Sequence, residues 1–461
     1  MRFAEPIIPG FYPDPSVCRV GDDYFLAASS FEYFPGVPIF HSRDLVHWRQ
    51  LGHVLTRRSQ LDLTGCASSG GIYAPTLRHH EGTFHLVTTL VGRGNLLVTA
   101  RDARGPWSDP QWLDAEGVDP SLAFLDGRAI YTRNGPGSDP DHPFVYQREL
   151  ARARPRVVWR GLGGVWPEGP HLYLRDGWYY LVTAEGGTSY DHSVVVARSR
   201  RAFGPFTPSP HGPLLTHRDR PRHPVQATGH ADLVDLEDGT TWAVLLGIRP
   251  GRGRRHHLGR ETFLAPVEWG ADGWPRMSPV ELRVRAPFPL HPQQAPPVRT
   301  VFTGGLPPEW VFVREPGAWS ANGTLRLRGT AVYRRQQHFD LTARTRVTGD
   351  GAGICVRASD EFHAALVLAR GEVHLVRTSR GRAVTLARTS VEPGPVTLEV
   401  RATADRYVFA CGAALGSVST RLFSAESIYA ATGRHHFTGA MIGLVAGESP
   451  AEFDWFDYEA S

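Results

Sequence analysis

The sequence contains no lysine. All fifty basic residues are arginine, 46 acidic residues nearly balance them, and the formal charge is +4. The arginines are scattered apart from two clusters, between Arg249 and Arg255 and between Arg152 and Arg156. A nucleic-acid surface needs a basic stripe with base-stacking aromatics on the same face. The sequence offers no such stripe, so no nucleic-acid partner is expected. No apolar run approaches the ~20 residues that cross a bilayer, and no membrane partner is expected. Cysteine is scarce: Cys18, Cys66, Cys355 and Cys411 have neither paired nor metal-type spacing and read as reduced, mostly buried thiols. No apolar targeting segment precedes the first repeat described below, which points to a cytoplasmic chain.

Glycine and aromatic side chains are abundant. The 49 glycines, 10% aromatic content and 41% hydrophobic content fit an all-β protein rich in turns. A length of 461 residues allows two or three domains. The most informative stretch is Val165-Trp166-Pro167-Glu168-Gly169-Pro170-His171-Leu172-Tyr173-Leu174, followed by Asp176-Gly177 and Trp178-Tyr179-Tyr180-Leu181-Val182. It reads as a strand entry carrying one carboxylate, an alternating strand, a tight turn and a second apolar strand.

The same plan recurs four more times. Tyr12-Pro13-Asp14-Pro15-Ser16-Val17 leads through Gly21-Asp22-Asp23 to Tyr24-Phe25-Leu26. Tyr73-Ala74-Pro75-Thr76-Leu77, Val118-Asp119-Pro120-Ser121-Leu122 and Gly229-His230-Ala231-Asp232-Leu233 open the others. Segments such as Pro110-Gln111-Trp112-Leu113 and Pro213-Leu214-Leu215 supply outer strands, giving about four strands per unit, the size of a propeller blade. Five such units predict a five-bladed β-propeller over residues 1–285, with its first strands facing the axis. Asp14, Asp119, Glu168 and His230 are then expected to meet at one end of the channel. A proline-rich stretch at 286–297 reads as a linker, and the alternating segments after it predict a β-sandwich over 298–461.

Acids favour turns and strand ends for structural reasons, but these three recur at one structural position and each is followed by Pro or Gly-Pro. Paired carboxylates across an aromatic-lined cavity suit glycosidic hydrolysis, one acting as acid and one working on the opposite face of the sugar. The pattern itself leaves the role of each acid open.

Phe11-Tyr12-Pro13-Asp14-Pro15-Ser16, Gly71-Ile72-Tyr73-Ala74-Pro75-Thr76, Val118-Asp119-Pro120-Ser121, Trp166-Pro167-Glu168-Gly169-Pro170, Gly229-His230-Ala231-Asp232 and Leu258-Gly259-Arg260-Glu261-Thr262 together resemble glycoside hydrolase family 43. Arg334-Arg335-Gln336-Gln337-His338-Phe339 and Phe437-Thr438-Gly439-Ala440 resemble the C-terminal sandwich of its two-domain β-xylosidases.

The resemblance implies a five-bladed propeller and an inverting reaction. It makes Asp14 the general base, Glu168 the general acid and Asp119 the group that tunes the acid, with base and acid roughly 6.5 to 9.5 Å apart. It also implies that Arg260 holds sugar hydroxyls and that Phe31 and Tyr73 line the sugar pocket, Tyr73 standing where the family usually has tryptophan. A sandwich loop near Phe437 is expected at the pocket edge. His230 keeps three readings: substrate binding, hydrogen bonding to the acids, or facing a calcium ion or water in the channel. No cofactor is required, and channel calcium is left open.

His79-His80, His256-His257 and His435-His436 lack ligand spacing and are expected as surface pairs. The activity expected is exo-acting removal of xylose from non-reducing ends of short β-1,4-xylo-oligosaccharides, with α-L-arabinofuranosidase activity as the alternative. A catalytically silent sugar-binding propeller is the non-enzymatic alternative. An invertase-like protein would open with Asn-Asp-Pro-Asn-Gly, which is absent. Assembly into homo-oligomers is left open.

Overall fold

The computed structural model describes residues 2–152, 154–292 and 294–460. Its first two thirds are five antiparallel sheets in chain order. The strand nearest the axis is the first of each sheet: Ser16–Val20, Thr76–His80, Ser121–Leu125, Glu168–Arg175 and Gln226–Asp235. The inner hairpins form where the turn residues demand. Glu81 and Gly82, Asp126 and Gly127, and Asp176 and Gly177 each hold positive φ at both positions, the turn whose twist matches that of the flanking strands.

Radial packing buries both faces of every blade, and each seam has its own apolar cluster. Ile39, Leu55, Leu77 and Leu86 join the first and second blades. Val87, Leu97, Leu122 and Tyr131 join the second and third. Ile130 and Val145 meet Leu172 and Leu181 at the next seam, Val182 and Val196 meet Leu245 and Phe263 at the fourth, and Val244 and Leu264 meet Leu26 and Phe40 at the fifth.

The ring closes through the N-terminal segment. Arg2–Ala4 pairs with Arg283–Arg285, Ile8 bridges Thr262, and the buried Glu5 carboxylate accepts from the backbone N–H groups of Ile7 and Leu264 at 3.0 and 3.1 Å. The proline-rich stretch lies on the propeller: Phe288 packs edge-on to Trp242 at 5.3 Å, and the His291 N–H donates to Asp44 at 2.6 Å. Gln293 within that stretch lies outside the described residues.

The C-terminal part is a sandwich of two antiparallel sheets around one core that includes Trp310, Leu325, Ile354, Leu398 and Phe453. Leu341–Thr348 and Val396–Ala402 bury alternate residues, as strands with one solvated face do. The strand Tyr33–Phe34 comes from the propeller yet forms the edge of a sandwich sheet, paired with Val311–Val313. Arg335 is fully buried at this junction, donating to the Phe11 carbonyl at 2.7 Å with its guanidinium over the rings of Phe11 and Tyr12. A short α-helix, Ala425–Thr432, starts at the Ser424 cap and ends at Gly433 in the left-handed region. It sits against the fifth blade, where the Ala425 N–H donates to the His256 carbonyl. No helix among the described residues is long and apolar enough to cross a membrane.

Candidate active site

The inner strands deliver their side chains to one end of the axis through distorted backbone. Asp14, Asp119 and His230 hold φ of 55°, 54° and 52°, and Phe31 holds 51°. Left-handed conformations cost non-glycine residues about 1–3 kcal/mol each and persist where surrounding structure enforces them. The fourth and fifth inner strands carry register shifts, between Glu168 and His171 and across Gln226, Gly229 and Asp232. Bulges of this kind re-aim side chains next to sites. Gly169 adds a steric requirement: it has φ 56°, and a Cβ there would lie 2.8 Å from the His230 ring.

Asp14 is buried. Its Oδ1 accepts from Arg260 Nη1 at 3.1 Å and lies 3.6 Å from His230 Nδ1, while the Ser29 hydroxyl donates to Oδ2 at 2.5 Å. Burial alone would raise its pKa, but Arg260, His230 and Ser29 outweigh that and hold the carboxyl below the usual range. Asp119 accepts from the Gly169 N–H at 3.2 Å. Burial, with the Asp14 charge, pushes its carboxyl up against the pull of His230 and Arg260.

Glu168 is driven furthest. Burial is the main cause, followed by the charges of Asp119 and Asp14, and Arg260 only partly offsets them, so the carboxyl stays protonated well above its ordinary value. Two linked carboxyls with pKa values pushed apart are an arrangement that can serve acid–base chemistry.

Aromatic rings complete the pocket. Phe31 lies 5.6 Å from Tyr73 and 6.0 Å from Phe437, and Tyr73 meets Phe437 edge-on at 5.9 Å. Arg260 stands over both phenylalanines, 5.6 Å from Phe31 and 5.5 Å from Phe437, and donates to the Phe437 carbonyl at 3.3 Å. Phe437 belongs to the sandwich and is anchored by its N–H to Ser69 Oγ at 3.0 Å. Beyond the acids a cleft of about 830 Å³ opens between Tyr73, Asp119, Trp166, Glu168, His435 and Phe437.

Residues 3–275 match the family model for glycosyl hydrolases family 43, and residues 301–459 match the model for the β-xylosidase C-terminal concanavalin A-like domain. The chain is a member of glycosyl hydrolase family 43. This family 43 hydrolase is 43% identical over 513 aligned residues to a non-reducing end α-L-arabinofuranosidase from Bacteroides ovatus, covering 99% of this chain and 94% of that one. It is 39% identical over 378 residues to a xylosidase/arabinosidase from Humicola insolens, covering 74% of this chain and 70% of that one. Among solved structures, a xylan β-1,4-xylosidase from Bacillus halodurans superposes with a TM-score of 0.92 at 34% identity, covering 99% of this chain and 100% of that one.

The structure brings Asp14, Asp119, Glu168, His230 and Arg260 into one electrostatically linked group. Phe31, Tyr73 and Phe437 gather beside it. His230 faces Asp14, its Nδ1 lying 3.6 Å from Oδ1. Among the described residues no group of three or more His, Cys, Asp or Glu side chains is placed to hold a metal.

The histidine pairs correct the sequence reading. His256, His257 and His436 are buried, because they lie on the seam between propeller and sandwich: His256 Nδ1 meets Glu426 at 2.7 Å, and His436 Nδ1 lies 3.4 Å from Ser69 Oγ. Ser29, which holds Asp14, and His192, which packs beneath Gly229, carried no sequence signal. Trp166, on the cleft wall, lay in a quoted motif without being assigned to the site.

Proposed function

We propose that this family 43 hydrolase removes a terminal pentose from the non-reducing ends of short β-1,4-xylo-oligosaccharides with inversion, xylose being the first sugar to test. The observation that carries this reading is the opposite bias of two carboxyls in one electrostatically linked group beside an aromatic wall: Asp14 is held below its usual range by Arg260, His230 and Ser29, and Glu168 is pushed well above it by burial and the neighbouring acids. Asp14, held ionised, takes a proton from a water whose oxygen bonds to the anomeric carbon. As that bond forms the glycosidic bond breaks, and Glu168, held protonated, gives its proton to the leaving oxygen.

Asp119 keeps Glu168 protonated by like charge and orients it through Gly169. Arg260 presents a planar set of donors for sugar hydroxyls. Phe437, bonded through its carbonyl to Arg260, walls the terminal-sugar side, which supports exo action.

A second reading, release of α-L-arabinofuranose, is favoured by the name of the Bacteroides ovatus relative and by Tyr73, whose smaller ring replaces the expected tryptophan. Hydrolysis rates on xylobiose, an aryl β-xyloside and an aryl α-L-arabinofuranoside test the choice. The xylosidase reading expects the highest kcat/KM on the xylosides; a large preference for the arabinofuranoside would replace it with the second.

A further inference from the structure

The arginine cluster between Arg249 and Arg255 has no part in the reaction above, and its loop runs to the seam with the sandwich. A cavity of about 380 Å³ opens there, sharing no lining residue with the cleft that holds the acids. The propeller contributes Arg252, Arg255 and His257, and the sandwich contributes Arg406 and Arg421, with the hydroxyls of Ser417 and Ser419 between them.

Arg249, at the start of the same loop, is held by Glu261 at 2.7 and 2.9 Å. The four arginines of the cavity differ. Among the described residues none of their guanidinium groups has an ion-pair or hydrogen-bond partner, and one carboxylate, Asp405, shares the cavity with them. His257 lines the same cavity. Its ring is 4% exposed, clamped between Phe339 and Tyr407 at 5.6 and 6.1 Å, and its Nε2 is buried without a hydrogen-bond partner.

We propose that this seam cavity binds a small multivalent oxyanion, with a phosphate group as the recognised chemistry. Guanidinium groups present paired donors that match phosphate oxygens, and a doubly charged group offsets the excess positive charge of four arginines on one cavity better than a single carboxylate. The volume leaves room for a substituent on the phosphate. Because the arginines come from both domains, the bound anion ties propeller to sandwich. A ligand that binds only the folded assembly stabilises it by mass action.

The test uses the full chain, with calorimetric titration and thermal unfolding in sodium phosphate, pyrophosphate, glucuronate and sodium chloride at matched ionic strength. The expected result is saturable binding of phosphate or pyrophosphate with a rise in Tm that chloride does not reproduce. Arg252→Ala and Arg421→Ala, one change in each domain at exposed side chains, should each weaken binding about tenfold, as loss of a charged hydrogen bond does. Their unfolding temperature without phosphate and their hydrolytic activity should match the parent. Equal stabilisation by chloride, unchanged phosphate affinity in the double variant, or tighter binding of glucuronate than of phosphate would each overturn the proposal.

Discussion

Asp14, buried, and Glu168, half-buried at the cleft, are carboxyls at the entries of inner strands, and their neighbours set them apart. Asp14 has a guanidinium and a hydroxyl on its oxygens, whereas Glu168 has two other carboxylates for company. A general acid matters in proportion to how badly the leaving group needs a proton. Glu168→Ala should therefore lose several orders of magnitude on xylobiose and far less on an aryl xyloside with an acidic phenol; equal losses would show that Glu168 is not the donor.

Asp119 acts on Glu168 through its charge. Removing that charge in Asp119→Asn lowers the Glu168 pKa, so the proton is lost at lower pH and the alkaline limb of kcat/KM against pH moves down. An unmoved limb would separate Asp119 from the acid. The three acids and Arg260 were legible because each sits in a short motif. Ser29 was not: a serine between Ala28 and Ser30 carries no local mark, and only the fold places its hydroxyl on Asp14.

Just along the axis from the acids, the inner strands are bound to one another by Asp232. It accepts from Arg78 through both oxygens at 2.8 Å, from the Ser16 hydroxyl at 2.6 Å, from the Val17 N–H at 3.0 Å and from the Tyr173 hydroxyl at 2.6 Å. One carboxylate thus joins the first, second, fourth and fifth inner strands. Breaking a buried pair leaves the partner charge uncompensated, at a cost of about 3–5 kcal/mol. Asp232→Ala should lower unfolding stability by that order in a denaturant titration, and a change below about 1 kcal/mol would contradict the role assigned to it.

The blades themselves were legible because hairpins obey local rules: Asp126-Gly127 and Asp176-Gly177 sit in apolar alternation, and the turns form there. The Tyr33–Phe34 strand was not, since its partner Val311–Val313 lies far along the chain and no local pattern announces an edge strand lent to another sheet. The buried histidines of the seam were misread for the same reason, because their partners come from the other domain.

The two domains share a sheet edge, a buried arginine and a wall of the active site, so their separation should be costly. A chain ending near Pro297 would lose Phe437 from the pocket, leave Tyr33 and Phe34 without a partner strand and uncover Phe11, from which Arg335 would be gone. It should be inactive or insoluble; a soluble and fully active truncated chain would reduce the sandwich to an appendage. The central claim concerns the chemistry across the pocket, that Asp14 activates a water while Glu168 protonates the leaving group in a single displacement. Proton NMR of the first sugar released from a β-xyloside, recorded before mutarotation, tests it most directly. The account expects the α anomer to appear first; initial appearance of the β anomer would mean a double displacement and would contradict it.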